Sequence, residues 1–159
     1  MAVLKTIGLC ELGSLTGTKF GVSNWKLITQ ELIDRFASIT KEDFPIHSDP
    51  VWSRDHSPFG KTIAQGFLTA SLLVHLFRDV LNVDHNTYDY ALNYGYDKLR
   101  MVSPVPVNSR IRGHFNSLDF HERRPGEFVQ KIGVEIEIED QKKPALIAEW
   151  LFLFILSKT

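Results

Sequence analysis

Cysteine is almost absent: Cys10 is the single one among 159 residues, so no internal disulfide can form. A disulfide-stapled secreted scaffold is thereby excluded, and a reducing cytoplasm is the expected compartment. Charge of one sign is lacking as well. Lys and Arg total 18 against 19 Asp and Glu, a formal net charge of −1. That leaves no basic surplus for a phosphate backbone, and no nucleic-acid partner is expected. His56, His75, His85, His114 and His121 are scattered without metal-ligand spacing, so no metal site is expected. Nucleophile elbow, P-loop and dinucleotide fingerprint are all missing.

Membrane signals are weak. The N-terminal Met1-Ala2-Val3-Leu4-Lys5-Thr6-Ile7 has no basic segment followed by a sustained apolar one, so a signal peptide is not expected. Ile63 to Leu81 has nearly the length of a membrane span but carries Gln65, His75, Arg78 and Asp79, each costly in lipid. Ala145 to Leu156 is too short to span as a helix and contains Glu149. No membrane partner is expected.

What is present is an ordinary globular composition, 43% hydrophobic and 23% charged. The length fits one domain over residues 1–159 and suffices for a core without disulfides or metal. A short helix ending near Gly13 or Gly17 is expected, then an extended segment at Trp25–Ile28. Thr29 is a good N-cap for a helix to about Ile39, with Leu32, Ile33, Phe36 and Ala37 on one face. Lys41 to Gly60 carries Pro45, Pro50, Pro58 and Gly60 and reads as a long loop, a form that is usually functional or partly helical. Ile63 to Leu81 is apolar almost all round, which predicts a helix wrapped by other structure.

Strand signals follow. Tyr88, Tyr90, Leu92, Tyr94 and Tyr96 alternate with small or polar residues. Arg110 to His121 alternates with a phase change between Phe115 and Leu118, which predicts a bulge. Ile132, Val134, Ile136 and Ile138 alternate with polar positions, giving a strand with one wet face. Ala145 to Leu156 is nearly continuous in its apolar residues, as in a central strand covered on both faces. Helices come first and strands last, so the fold class is α+β with an antiparallel sheet. A curved sheet wrapped around one buried helix satisfies both patterns.

The chemistry-bearing segment is Glu42-Asp43-Phe44-Pro45-Ile46-His47-Ser48-Asp49-Pro50. A carboxylate and an imidazole brought together make a general acid/base pair. Gln65-Gly66 opens the apolar helix, and a glycine there lets a substrate oxygen approach the backbone N–H closely, where it can stabilise an enolate. The bland alternatives are turn and capping chemistry. Asp49 can simply cap a helix beginning at Pro50.

Pro45-Ile46-His47-Ser48-Asp49 and Phe59-Gly60-Lys61-Thr62-Ile63-Ala64-Gln65-Gly66-Phe67-Leu68-Thr69 resemble the motifs of the MaoC-like dehydratases, which include the (R)-specific enoyl-CoA hydratases. Asn93-Tyr94-Gly95-Tyr96-Asp97-Lys98-Leu99-Arg100 and Pro104-Val105-Pro106-Val107 are especially similar to the nodulation protein N branch of that family. The resemblance covers roughly Thr16 to Phe154. It implies the hot-dog fold, with the sheet curved around a central apolar helix, and a homodimer with its site at the interface. It implies addition of water to a trans-2-enoyl-CoA to give (R)-3-hydroxyacyl-CoA, or the reverse, with an acyl-CoA or acyl-carrier thioester as substrate. No metal or redox cofactor is implied.

Residue by residue, His47 matches the catalytic histidine. The family's acid lies five positions earlier, where Glu42 stands in place of Asp; Asp43 aligns only with a one-residue gap. Gly66 matches the oxyanion donor and Ser71 a helix serine that supports the site. Gln65 stands where the family usually has His and keeps a donor and an acceptor without titrating near neutral pH. The departures at Glu42 and Gln65 motivate a competing reading, a non-catalytic acyl-thioester binder on the same fold; a third reading is an assembly subunit with no ligand.

Overall fold

The structure is a computed structural model and describes residues 5–156; Met1 to Leu4 of the N-terminal stretch, and 157–159, lie outside the described residues. Strand β1 (Lys5–Ile7) leads into helix α1 (Leu9–Ser14), then β2 (Lys19–Val22) and β3 (Lys26–Leu27). Helix α2 (Gln30–Thr40) starts as its sequence signals require. The Thr29 side chain accepts from the Leu32 N–H, and the helix stops at Lys41 in the left-handed region. Ile33 and Ala37 form its buried stripe.

The long loop is partly helical. It contains α3 (Pro45–Ser48) and α4 (Pro50–His56), each with proline in its first turn. The Asp49 side chain accepts from the Trp52 N–H at 2.8 Å and so caps α4. The apolar run 63–81 is not one helix. It forms α5 (Gly66–Ser71) and α6 (Leu73–Phe77), separated at Leu72, then β4 (Leu81–Val83), which pairs in parallel with β1. Nor is it wrapped all round. Leu68, Leu73, Leu76 and Phe77 are buried, while Phe67 is 64% exposed.

After a 3-10 turn at His85–Thr87 come four long strands: β5 (Tyr90–Met101), β6 (Arg110–Arg124), β7 (Glu127–Ile138) and β8 (Leu146–Ile155). They lie in one antiparallel sheet in the order β2-β6-β7-β8-β5, with β3 also on β6. The bulge expected in β6 is a register shift between Ser117 and Asp119. On β7, Ile132, Val134, Ile136 and Ile138 face the core while Glu135 and Glu137 face outward. Helices α5 and α6 pack on the core face, where Phe77 meets Phe115 and Trp150 edge-on at 5.2 and 5.9 Å. This is the hot-dog arrangement.

One strand differs from expectation. β8 is internal, between β7 and β5, but it is not covered on both faces: Ile147 on the outer face is 41% exposed. β5 is an edge strand, and its aromatic row is not buried. Tyr90, Leu92, Tyr94 and Tyr96 are between 39% and 51% exposed.

Candidate active site

Proline at the first position of α3 sets the turn that brings His47 inward, and His47 is 9% exposed. Its Nδ1 lies 2.7 Å from the Ile63 carbonyl oxygen. A carbonyl only accepts, so Nδ1 carries the proton and, in the neutral ring, Nε2 is left as an acceptor. Nε2 faces Glu42 Oε1 at 4.0 Å. Asp43 is exposed and does not form this pair; its carbonyl accepts the Ser48 hydroxyl at 2.9 Å. Of the two adjacent acids, the carboxylate opposite His47 therefore belongs to Glu42.

The backbone around His47 is tied from several directions. Gln30, the first residue of α2, donates from Nε2 to the His47 carbonyl at 2.8 Å and to Asp34 Oδ1 at 2.7 Å, and its Oε1 accepts the Thr62 hydroxyl. The Ile63 N–H donates to the Ile46 carbonyl at 3.1 Å. Gln30 is a positioning residue that sequence reasoning missed. A helix-opening glutamine carries no motif, and only the fold brings it to α3.

Gly66 opens α5, and the first-turn N–H groups of a helix have no intrahelical acceptor. Together with His47 it lines a cleft of about 300 Å³ with Thr69, Met101, Ser103 and Val105. Thr69 and Met101 were not among the sequence candidates. The cleft floor is held by the chain crossing at Ala64 and Val105, where the Ala64 N–H donates to the Val105 carbonyl at 2.8 Å.

Of the sequence candidates only His47 and Gly66 line the cleft; Glu42 stands beside it opposite His47, and Asp43, Gln65 and Ser71 lie away from it. Gln65 is fully buried and does not line it. Its Nε2 donates to the carbonyls of Ile33 and Glu42, both at 3.4 Å, and its Oε1 has no partner among the described residues. Gln65 therefore ties the Glu42 main chain to α2. Ser71 is exposed, and its hydroxyl donates back to the Phe67 carbonyl at 2.7 Å, as helical serines commonly do.

A hollow of about 800 Å³ lies on the outer sheet face and shares no residue with the His47 cleft. The Lys98–Glu149 ion pair sits on its lining. Among the described residues no group of three His, Cys, Asp or Glu side chains is placed to hold a metal ion, and no helix is long and apolar enough to cross a membrane.

The model of the MaoC like domain matches residues 11–138. The chain belongs to this family. It is 40% identical to nodulation protein N of Rhizobium meliloti (strain 1021) over 146 residues, 91% of this chain and 89% of that one. It is 35% identical to 3-hydroxyacyl-thioester dehydratase Z of Mycobacterium tuberculosis (strain ATCC 25618 / H37Rv) over 147 residues, 92% of this chain and 95% of that one. A solved structure described as the monoamine oxidase regulatory protein from Archaeoglobus fulgius superposes with a TM-score of 0.76 at 23% identity, covering 90% of this chain and 92% of that one. MaoC-like membership thus rests on nearly the whole chain, and within it His47 and Gly66 line one cleft.

Proposed function

We propose that this MaoC-like protein is an acyl-thioester hydratase/dehydratase that adds water to a trans-2-enoyl-CoA or enoyl-carrier thioester, giving the (R)-3-hydroxyacyl thioester, or runs the reverse. The observation that carries this is the Glu42–His47 pair, 4.0 Å apart beside the cleft that Gly66 lines. A hydrogen-bonded water needs about 2.8 Å to each partner, so one water can touch both groups. The water oxygen bonds to C3, and one of its protons passes to the pair. The pair returns a proton to C2 and ends as it began, so the substrate gains the elements of water. The thioester oxygen carries enolate charge on the way and accepts the Gly66 N–H.

Catalysis is favoured over mere binding because Gln65 does not occupy the cleft; its exchange for the family's usual histidine alters a main-chain anchor. The 3-hydroxyacyl-thioester dehydratase relative supports the same substrate class. The protein works as a homodimer joined through β5, the edge strand whose tyrosines and Leu92 are exposed in one copy. The test is incubation of the purified protein with short and long trans-2-enoyl-CoA, with the product identified and its C3 configuration assigned. Formation of (R)-3-hydroxyacyl-CoA is expected. Inactivity at every chain length, in both directions, sinks the proposal.

A further inference from the structure

We infer that Met101 is a specificity-determining residue that closes the cleft to thioesters substituted at C2; this rests on the thioester reading above. A Cβ built on Gly66 would meet Met101 Cγ at 3.0 Å, Sδ at 3.2 Å and Cε at 3.4 Å. The thioether therefore lies across the Gly66 Cα and fills the space a larger residue would use. Its backbone is fixed. Met101 ends β5 opposite Leu146, and the next residue, Val102, donates to the Ala145 carbonyl at 2.8 Å. Its side chain is unbranched and 39% exposed, so it forms a wall that reaches into the cleft from a rigid base.

The wall stands where selectivity at C2 is set. Met101, Gly66 and His47 line one cleft of about 300 Å³. A thioester whose oxygen meets the Gly66 N–H has C2 two bonds from that oxygen. With C3 turned toward Glu42 and His47, the planar enoyl unit shares the cleft with the thioether. Hydrogen on C2 keeps that edge of the unit narrow. A methyl group there lies in the same plane and widens the unit beside Gly66, into the space Met101 fills. Glycine at 66 and methionine at 101 thus act together: the first gives up its side-chain volume and the second occupies it.

The experiment compares but-2-enoyl-CoA with 2-methylbut-2-enoyl-CoA as substrates of wild type, Met101→Ala and Met101→Leu. The loss or gain of one methyl-sized fit changes selectivity by about tenfold or more. Wild type should therefore prefer the unbranched thioester by at least about tenfold in kcat/KM. Met101→Ala should shrink that preference by about tenfold. Met101→Leu, which conserves volume, should keep it within about threefold. An unchanged ratio in Met101→Ala, or a wild type that already accepts both thioesters equally, overturns the inference while leaving hydration standing. If no variant turns over either thioester, the same ratio is read from equilibrium binding of the same two thioesters, but-2-enoyl-CoA and 2-methylbut-2-enoyl-CoA. Binding with the expected ratios then supports the Met101 wall, while hydration is decided separately by the series of chain lengths; binding without them, or no binding of either thioester, overturns the wall.

Discussion

Replacing Glu42 by Gln removes a charge while keeping the side chain's shape, and it separates the two adjacent acids of the 42–43 pair. Glu42 Oε1 is 4.0 Å from His47 Nε2, whereas the Asp43 side chain is exposed and makes no ion pair among the described residues. A positioned acid/base group contributes about 10²–10⁴ in rate, equivalent to about 3–5 kcal/mol of barrier. Glu42→Gln should therefore lose activity in that range, and Asp43→Asn should stay within about threefold of wild type. Glu42→Asp withdraws the carboxylate by one carbon–carbon bond, about 1.5 Å. Misplacement on the order of 1 Å costs about a hundredfold, so this variant should fall by about that much. The Glu42 side chain is 36% exposed, so thermal unfolding should be nearly unchanged and the rates can be compared directly. The assay follows loss of the conjugated thioester absorbance. Glu42→Gln retaining half of wild-type activity, or Asp43→Asn being the variant that dies, would refute the placement of the acid.

Trp150 is 1% exposed and packs on Phe152 and Phe77 at ring-centroid distances of 4.3 and 5.9 Å. Trp150→Ala should destabilise by about 3–5 kcal/mol in urea unfolding, and a loss under about 1 kcal/mol would contradict this core. The Arg112 guanidinium, hydrogen-bonded to Glu137, holds that carboxyl below its ordinary value, with a hydrogen bond from His114 adding to the effect and burial opposing it. A depressed folded value means the stabilisation is present above the unfolded carboxylate pKa, about 4.3, and is lost as pH falls through the folded value. The melting-temperature gap between wild type and Glu137→Gln should be wide at neutral pH and close in acid; a gap independent of pH would contradict the linkage. Sedimentation should give a dimer for wild type and a monomer for Leu92→Glu on the exposed β5 edge, and a monomeric wild type at micromolar concentration would remove the proposed interface.

Legibility followed how local each signal was. The Thr29 cap, the Asp49 cap and the alternation of β7 are written within a few residues, and each reappears in the structure. The bulge near Ser117 was visible because an extra residue shifts the inside–outside phase. The continuous apolar run 63–81 hid its break at Leu72, since no glycine or proline marks it and the dihedral change there is small. Alternation showed β5 to be a strand but carried no information on which edge it occupies, so the exposure of its aromatic row emerged only from strand order. At the candidate site, motif spacing named Glu42, Asp43, His47, Gly66, Gln65 and Ser71 alike, because adjacency along the chain does not say which way a side chain turns; the structure puts Glu42 opposite His47 and His47 and Gly66 on one cleft, with the other three turned away from it. Gln30 and Met101 reach the cleft region from α2 and the end of β5, contacts between residues far apart in sequence.

The most direct test of the proposed hydration site is the rate of water addition to a short trans-2-enoyl-CoA by wild type beside His47→Ala. His47 is held by Ile63 with Nε2 left free to accept a proton, so its removal should abolish turnover by at least about a hundredfold while thioester binding persists. Equal rates for the two proteins would contradict the assignment of His47, and with it the proposed hydration site.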